Sequence, residues 1–141
     1  MFLVDTCVVA EARKKSGAHP GVREFLQRVS EERASLFMSV ITVGELRRGI
    51  ETIRHRGGKR QAGQLERWLE KILEEYPDQI LSFGPDTAQL WGAIQLPPAS
   101  TMLDQQMAAT ARIHGLTLVT GKDRHFHGSG IQTYNPFIQT A

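Results

Sequence analysis

The sequence predicts an α/β sandwich, a mostly parallel sheet flanked by helices. Three observations lead there. Short apolar, β-branched runs alternate with amphipathic stretches along the whole chain, the pattern of strand–helix–strand units rather than of hairpins. The 141 residues suffice for one domain, and 40% apolar with 23% charged residues is ordinary globular composition. Cys7 is the single cysteine, so neither a disulfide framework nor a zinc site built on cysteine pairs supports the fold, and packing must. No repeat, low-complexity segment or long linker divides the chain, and residues 1–141 read as a single domain.

The elements follow in order. Phe2–Val9 is apolar around Asp5 and reads as a buried strand running into a turn or helix. From Pro20 to about Glu32, Val22, Phe25, Leu26 and Val29 recur at helical spacing. Ser35–Ser39 is a second short strand. Thr42, with Glu45 three residues later, has the form of a capping box for a helix running to about His55, before Gly57-Gly58. The next helix, about Arg60–Tyr76, carries Leu65, Trp68, Leu69, Ile72 and Leu73 on one stripe and stops at Pro77. Ile80–Phe83 is a third strand. Asp86 is expected to cap a helix holding Ala88, Leu90, Trp91 and Ile94, and Pro97-Pro98 breaks the chain. Leu103–His114 is helical, with Met107, Ala108, Ala111 and Ile113 expected inward and Gly115 as its C-cap. Leu116–Thr120 and Ile131–Tyr134 complete the sheet.

Charge and hydropathy exclude several classes. Seventeen Lys and Arg against 15 Asp and Glu leave a net charge of +2, too mild to declare a nucleic-acid binder. The charge is uneven, however. Arg47, Arg48, Arg54, Arg56, Lys59 and Arg60 face only Glu45 and Glu51 between Gly44 and Arg60, either a solvated helix end or a face for phosphates. No apolar run reaches the ~18 residues of a membrane helix, and Asp5 interrupts the apolar N-terminus, which lacks a basic n-region. A cytoplasmic protein that makes no membrane contact is expected.

Ligands of parallel sheets bind beyond the carboxyl ends of the strands, and acidic residues gather there. Asp5 lies inside an apolar run, where an ionised carboxylate is costly unless paired or bound to a cation; it could instead cap the following turn. Glu45 follows the second strand by one turn and is either Thr42's capping partner or a site residue. Asp104 opens the Ala-rich helix, where it would favour the dipole in any case. Asp123, in GKDRH after the strand LTLVT, could be an ordinary turn residue. Together they suggest more: several convergent carboxylates need a cation, and hard oxygen donors select Mg²⁺ or Mn²⁺. Such a site suits phosphoryl transfer, the metal activating water and screening the phosphate. His125 and His127 read as solvated loop residues. Trp68 and Trp91 read as core. Ser39, Ser129 and His114 lack a nucleophile-elbow context, and Gly57-Gly58-Lys59 lacks phosphate-loop spacing.

Three stretches resemble a known family. VDTCVVAEARK is similar to the opening motif of PIN-domain toxins, SVITVGELRRGI to their second motif with Glu45 at its acidic position, and LDQQMAATARIHGLTLVT to their third with Asp104. TYNPF resembles the ending of the VapC/FitB branch, so the likeness runs from Phe2 to Phe137. It implies a PIN-like three-layer sandwich and a Mg²⁺-dependent endoribonuclease, the toxin of a type II toxin–antitoxin pair. It also implies a homodimer and a cognate antitoxin that fills the active-site groove and alone touches operator DNA. By the same resemblance Asp5 and Asp104 hold the metal, Glu45 orients or deprotonates water, Thr120 fixes a carboxylate, and Arg47, Arg48 and Arg54 with the 56–60 loop hold RNA.

Two positions depart from the family. Cys7 stands where Asn or Ser is usual, weakening a hydrogen bond. In the fourth motif Lys122 stands at the usual Asp or Asn, with Asp123 one place late. The expectation is that the loop bulges, Asp123 completes the site and Lys122 points to solvent or RNA; without the bulge, Lys122 would face the carboxylates. A catalytically weak binding subunit and a DNA-processing nuclease are the competing functions.

Overall fold

The computed structural model describes residues 1–138. Its strands are β1 (Phe2–Val4), β2 (Leu36–Ser39), β3 (Ile80–Leu81), β4 (Thr117–Val119) and β5 (Thr133–Tyr134). Its α-helices are α1 (Thr6–Ala12), α2 (Pro20–Glu32), α3 (Val40–His55), α4 (Lys59–Glu75), α5 (Pro85–Ala93) and α6 (Met102–His114). The strands form one sheet in the order β3-β2-β1-β4-β5, and all four pairings are parallel.

Strand alternation separates two cores. Val4 and Val119 join Val8, Val22, Phe25, Leu46, Ile50, Ala62 and Leu69 on the face covered by α1–α4. Leu3 and Leu118 join Ile94, Met107, Ala108, Ala109 and Ala111 on the face covered by α5 and α6. The arrangement is a three-layer α/β sandwich, as the alternating pattern required. The run of alanines lets α6 lie close against the sheet, and Gly115 ends it in the left-handed conformation, φ 63°.

The run Phe2–Val9 is a strand passing into a helix, as expected: β1 ends at Val4, Asp5 caps α1, and Val8 and Val9 are buried on that helix. Several elements differ from expectation. Ser39, not Thr42, caps α3, its Oγ accepting from Ile41 N at 3.0 Å. Thr42 lies inside the first turn, fully buried. The capping box occurs instead at Thr101 and Asp104. Asp86 sits within the first turn of α5, whose cap is Gly84. Ile113 faces solvent, 43% exposed, on the outer side of α6.

Candidate active site

Asp5 stands at the carboxyl end of the central strand. Its backbone N–H continues the ladder to Val119 O at 2.9 Å, and the chain then turns into α1. The carboxylate is 4% exposed and serves two partners: Oδ1 accepts from Thr6 N at 2.8 Å, and Oδ2 from the Thr120 hydroxyl at 2.7 Å. Cys7 Sγ lies 4.0 Å from Oδ2, a weak sulfur contact. Burial pushes the Cys7 thiol up, and the nearby Asp5 charge adds to this; the Gly121 backbone and the Lys122 charge only partly offset it.

Thr6 links Asp5 to the next acid. Its hydroxyl donates to Glu45 Oε1 at 2.6 Å, with Thr42 Oγ1 3.2 Å away. Thr42 in turn lies 3.9 Å from Met107 Sδ, which ties α3 to α6 at this end of the sheet.

Asp104 is 2% exposed. Its Oδ2 accepts from Thr101 N at 2.9 Å, closing the capping box, and lies 2.9 Å from His125 Nδ1. Its Oδ1 pairs with Lys122 Nζ at 3.2 Å. Burial by itself would raise this carboxyl, but the Thr101 N–H, His125 and Lys122 outweigh it and hold it below the usual range. Lys122 is shifted the other way. Burial would lower the ammonium, yet the Asp104 charge and hydrogen bond, followed by Asp5, raise it.

The fourth position therefore departs from expectation. The loop after β4 does not bulge Asp123 toward the other acids. Asp123 begins a 3-10 turn, Asp123–Phe126, and its Oδ1 accepts from Asn135 Nδ2 at 2.9 Å. Asn135 also reaches Gly121 O and receives the Phe137 N–H, so the TYNPF segment holds this loop. Lys122, whose N–H is anchored on Thr120 Oγ1 at 3.0 Å, turns its ammonium to Asp104 while its side chain stays partly open to solvent.

Arg47 pairs with Glu66 at 2.5 Å, and Arg54 pairs with Glu51 and with Glu66 at 3.2 Å, so both partly exposed side chains also join α3 to α4. Arg48 is exposed and has no ion pair among the described residues. His125, read as a solvated residue, touches Asp104; its position three residues after Lys122, on one turn, is the signal that could have placed it. Thr6 and Thr101 were also missed. A hydroxyl adjoining an acid and a Thr three residues before Asp104 are their sequence traces.

These donors fit a hard divalent cation in kind: carboxylate oxygens, without a thiolate or a histidine pair. Among the described residues, however, no group of three or more His, Cys, Asp or Glu is gathered to hold an ion. The cation found at Asp104 is the Lys122 ammonium.

Comparison with known proteins fits this geometry. A family model described as PIN domain matches residues 2–128. Plasmid stability protein StbB of Pseudomonas syringae pv. tomato is 29% identical over 97% of this chain and 99% of its own. Toxin FitB of Neisseria gonorrhoeae is 28% identical, with the same coverage. VapC ribonuclease Y4jK of Sinorhizobium fredii is 26% identical over 97% of this chain and 98% of its own. Among solved structures, that of FitAB bound to an IR36 DNA fragment superposes with a TM-score of 0.80 at 26% identity, covering 100% of this chain and 99% of that one.

Proposed function

The chain belongs to the PIN-domain family, and on that premise we propose that it is a Mg²⁺-dependent endoribonuclease, the toxin of a type II toxin–antitoxin pair, acting in the cytoplasm. The observation that carries the reading is the linked set of acids at one end of the sheet: Asp5 joined to Thr120, Glu45 joined through Thr6, and Asp104 buried opposite Lys122. Relatives named as a toxin and as a ribonuclease support it.

Asp5 and Asp104 would hold the ion, Mg²⁺ or Mn²⁺. When bound, such an ion supplies Lewis acidity at the phosphate and acidifies a water. The chain's own groups do the rest. Thr120 fixes the Asp5 carboxylate by its hydrogen bond, so Asp5 loses no orientation when a ligand arrives. Thr6 occupies Glu45 Oε1 and turns the carboxylate, leaving Oε2 to take the proton of the attacking water. Asp123 does not enter this set. Arg48, with Arg56, Lys59 and Arg60, all exposed, binds the RNA backbone. A cognate antitoxin covers the groove and carries any contact to operator DNA, and the toxin pairs with a second copy; the complex of FitAB with DNA supports the antitoxin part by analogy.

The test is cleavage of single-stranded RNA and DNA with and without Mg²⁺, for wild type, Asp5→Ala and Asp104→Ala, alongside growth arrest on expression alone. Both variants should lose RNA cleavage and arrest. Undiminished cleavage in a folded variant removes that acid from the site, and preferential DNA cleavage makes the chain a DNA-processing nuclease. The Lys122–Asp104 pair favours a second reading, a catalytically weak binding subunit. Its signature is a purified antitoxin complex that binds operator DNA while the free toxin leaves RNA intact at every Mg²⁺ concentration.

A further inference from the structure

Both oxygens of Asp104 are committed. Oδ2 serves the Thr101 N–H and the His125 ring, each at 2.9 Å, so Oδ1 is the oxygen left for a cation. Lys122 Nζ already holds it at 3.2 Å. A Mg²⁺ ion bonded to the same oxygen at ~2.1 Å would stand at most about 5 Å from that ammonium, with three positive charges crowded together. The two cannot share Oδ1 at their full strength. Lys122 has somewhere to go: its side chain is 45% exposed. Its backbone does not need to move, being held by Thr120 Oγ1 on one side and by the His125 N–H donating to Lys122 O at 2.9 Å on the other.

We propose that Lys122 is an internal competitor for the divalent cation: its ammonium holds Asp104 Oδ1, and Mg²⁺ or Mn²⁺ is admitted only by displacing it. The proposal rests on the metal-dependent nuclease reading and adds to it a cost of metal binding specific to this chain. The site is self-neutralised without metal, and it takes up the ion more weakly than one carrying a neutral or acidic side chain at position 122.

The test is Mn²⁺ binding followed by the electron paramagnetic resonance signal of the free ion, for wild type, Lys122→Met and Lys122→Asn. Asn is the smaller substitution and covers the case in which Met disturbs packing; circular dichroism checks both folds. Both variants should bind Mn²⁺ roughly tenfold or more tightly than wild type, the size of losing one competing ion pair. A second readout needs no variant: Mg²⁺ added to the wild-type protein should shift the NMR resonance of the Lys122 methylene next to Nζ. Equal affinity in all three proteins, or weaker binding in the variants, overturns the proposal. RNA cleavage in parallel separates the two ideas. Mg²⁺-dependent cleavage with unchanged Mn²⁺ affinity sinks the competitor and leaves the nuclease standing. Absence of both metal binding and cleavage in every protein sinks both.

Discussion

A single hydroxyl, that of Thr120, meets Asp5 Oδ2 and the Lys122 N–H at once. Thr120→Val strips both of a partner inside a buried site and should cost about 1–3 kcal/mol in urea unfolding, the range for leaving a buried polar group unmade, while Thr120→Ser recovers most of it. Equal midpoints for Val and Ser would show that the hydroxyl carries nothing. The Asp104–Lys122 pair sets a pH window. Asp104 is lowered in the folded chain, so its contribution is complete above about pH 4, its unfolded value, and is lost as pH falls through the lower folded value. Lys122 is raised, so its contribution is complete below about pH 10 and is lost as pH climbs through the higher folded value. Melting of the metal-free protein against pH should show both limbs, and Asp104→Asn should flatten the acid one; an unchanged acid limb in that variant assigns it elsewhere. Much of this site was legible in sequence, because a carboxylate inside an apolar run or at a helix start is conspicuous. The fourth position was not. Whether Lys122 or Asp123 turns inward is decided by Asn135, twelve residues beyond Asp123, through a hydrogen bond that no local pattern announces.

At the scale of elements, the two long helices α3 and α4 are joined by apolar packing and by the Arg47–Glu66–Arg54–Glu51 group. These side chains are partly exposed, so the clamp is screened by salt and contributes little to stability. Glu66→Ala should therefore barely change the melting temperature at physiological salt. On the proposed nuclease reading it should tighten RNA binding and steepen its salt dependence, because Arg47 and Arg54 are then left to share Glu51 alone. Filter binding across a salt series reads this, and an unchanged slope would mean neither arginine can reach the backbone. Another junction is steric. A Cβ at Gly21 would fall 1.8 Å from Pro136 O, so Gly21→Ala must push the C-terminal segment off α2 and lower the melting temperature. Unaltered melting would show that the segment yields without loss. The helices were readable because their apolar stripes span several turns. The strands were less so. Two to four residues each, they end where a cap begins, and caps depend on side chains such as Ser39 and Asp5 that also suit turns.

At the scale of the whole molecule, the sheet order puts the first strand in the centre, between β2 and β4. The alternating pattern predicts layers and parallel pairing, but strand order depends on crossovers that periodicity does not encode. Such an arrangement delays completion. Asp5 meets Thr120 across 115 residues of chain. On a ribosome adding roughly 5–20 residues per second, that span takes about 6–23 s to synthesise. Throughout that interval the nascent chain carries Asp5 without the hydroxyl that fixes it and without either side of the Asp104–Lys122 pair for most of it. Closure of the site is therefore timed by translation itself: Asp5 waits at the edge of the sheet until β4 and the residues just beyond it have been made.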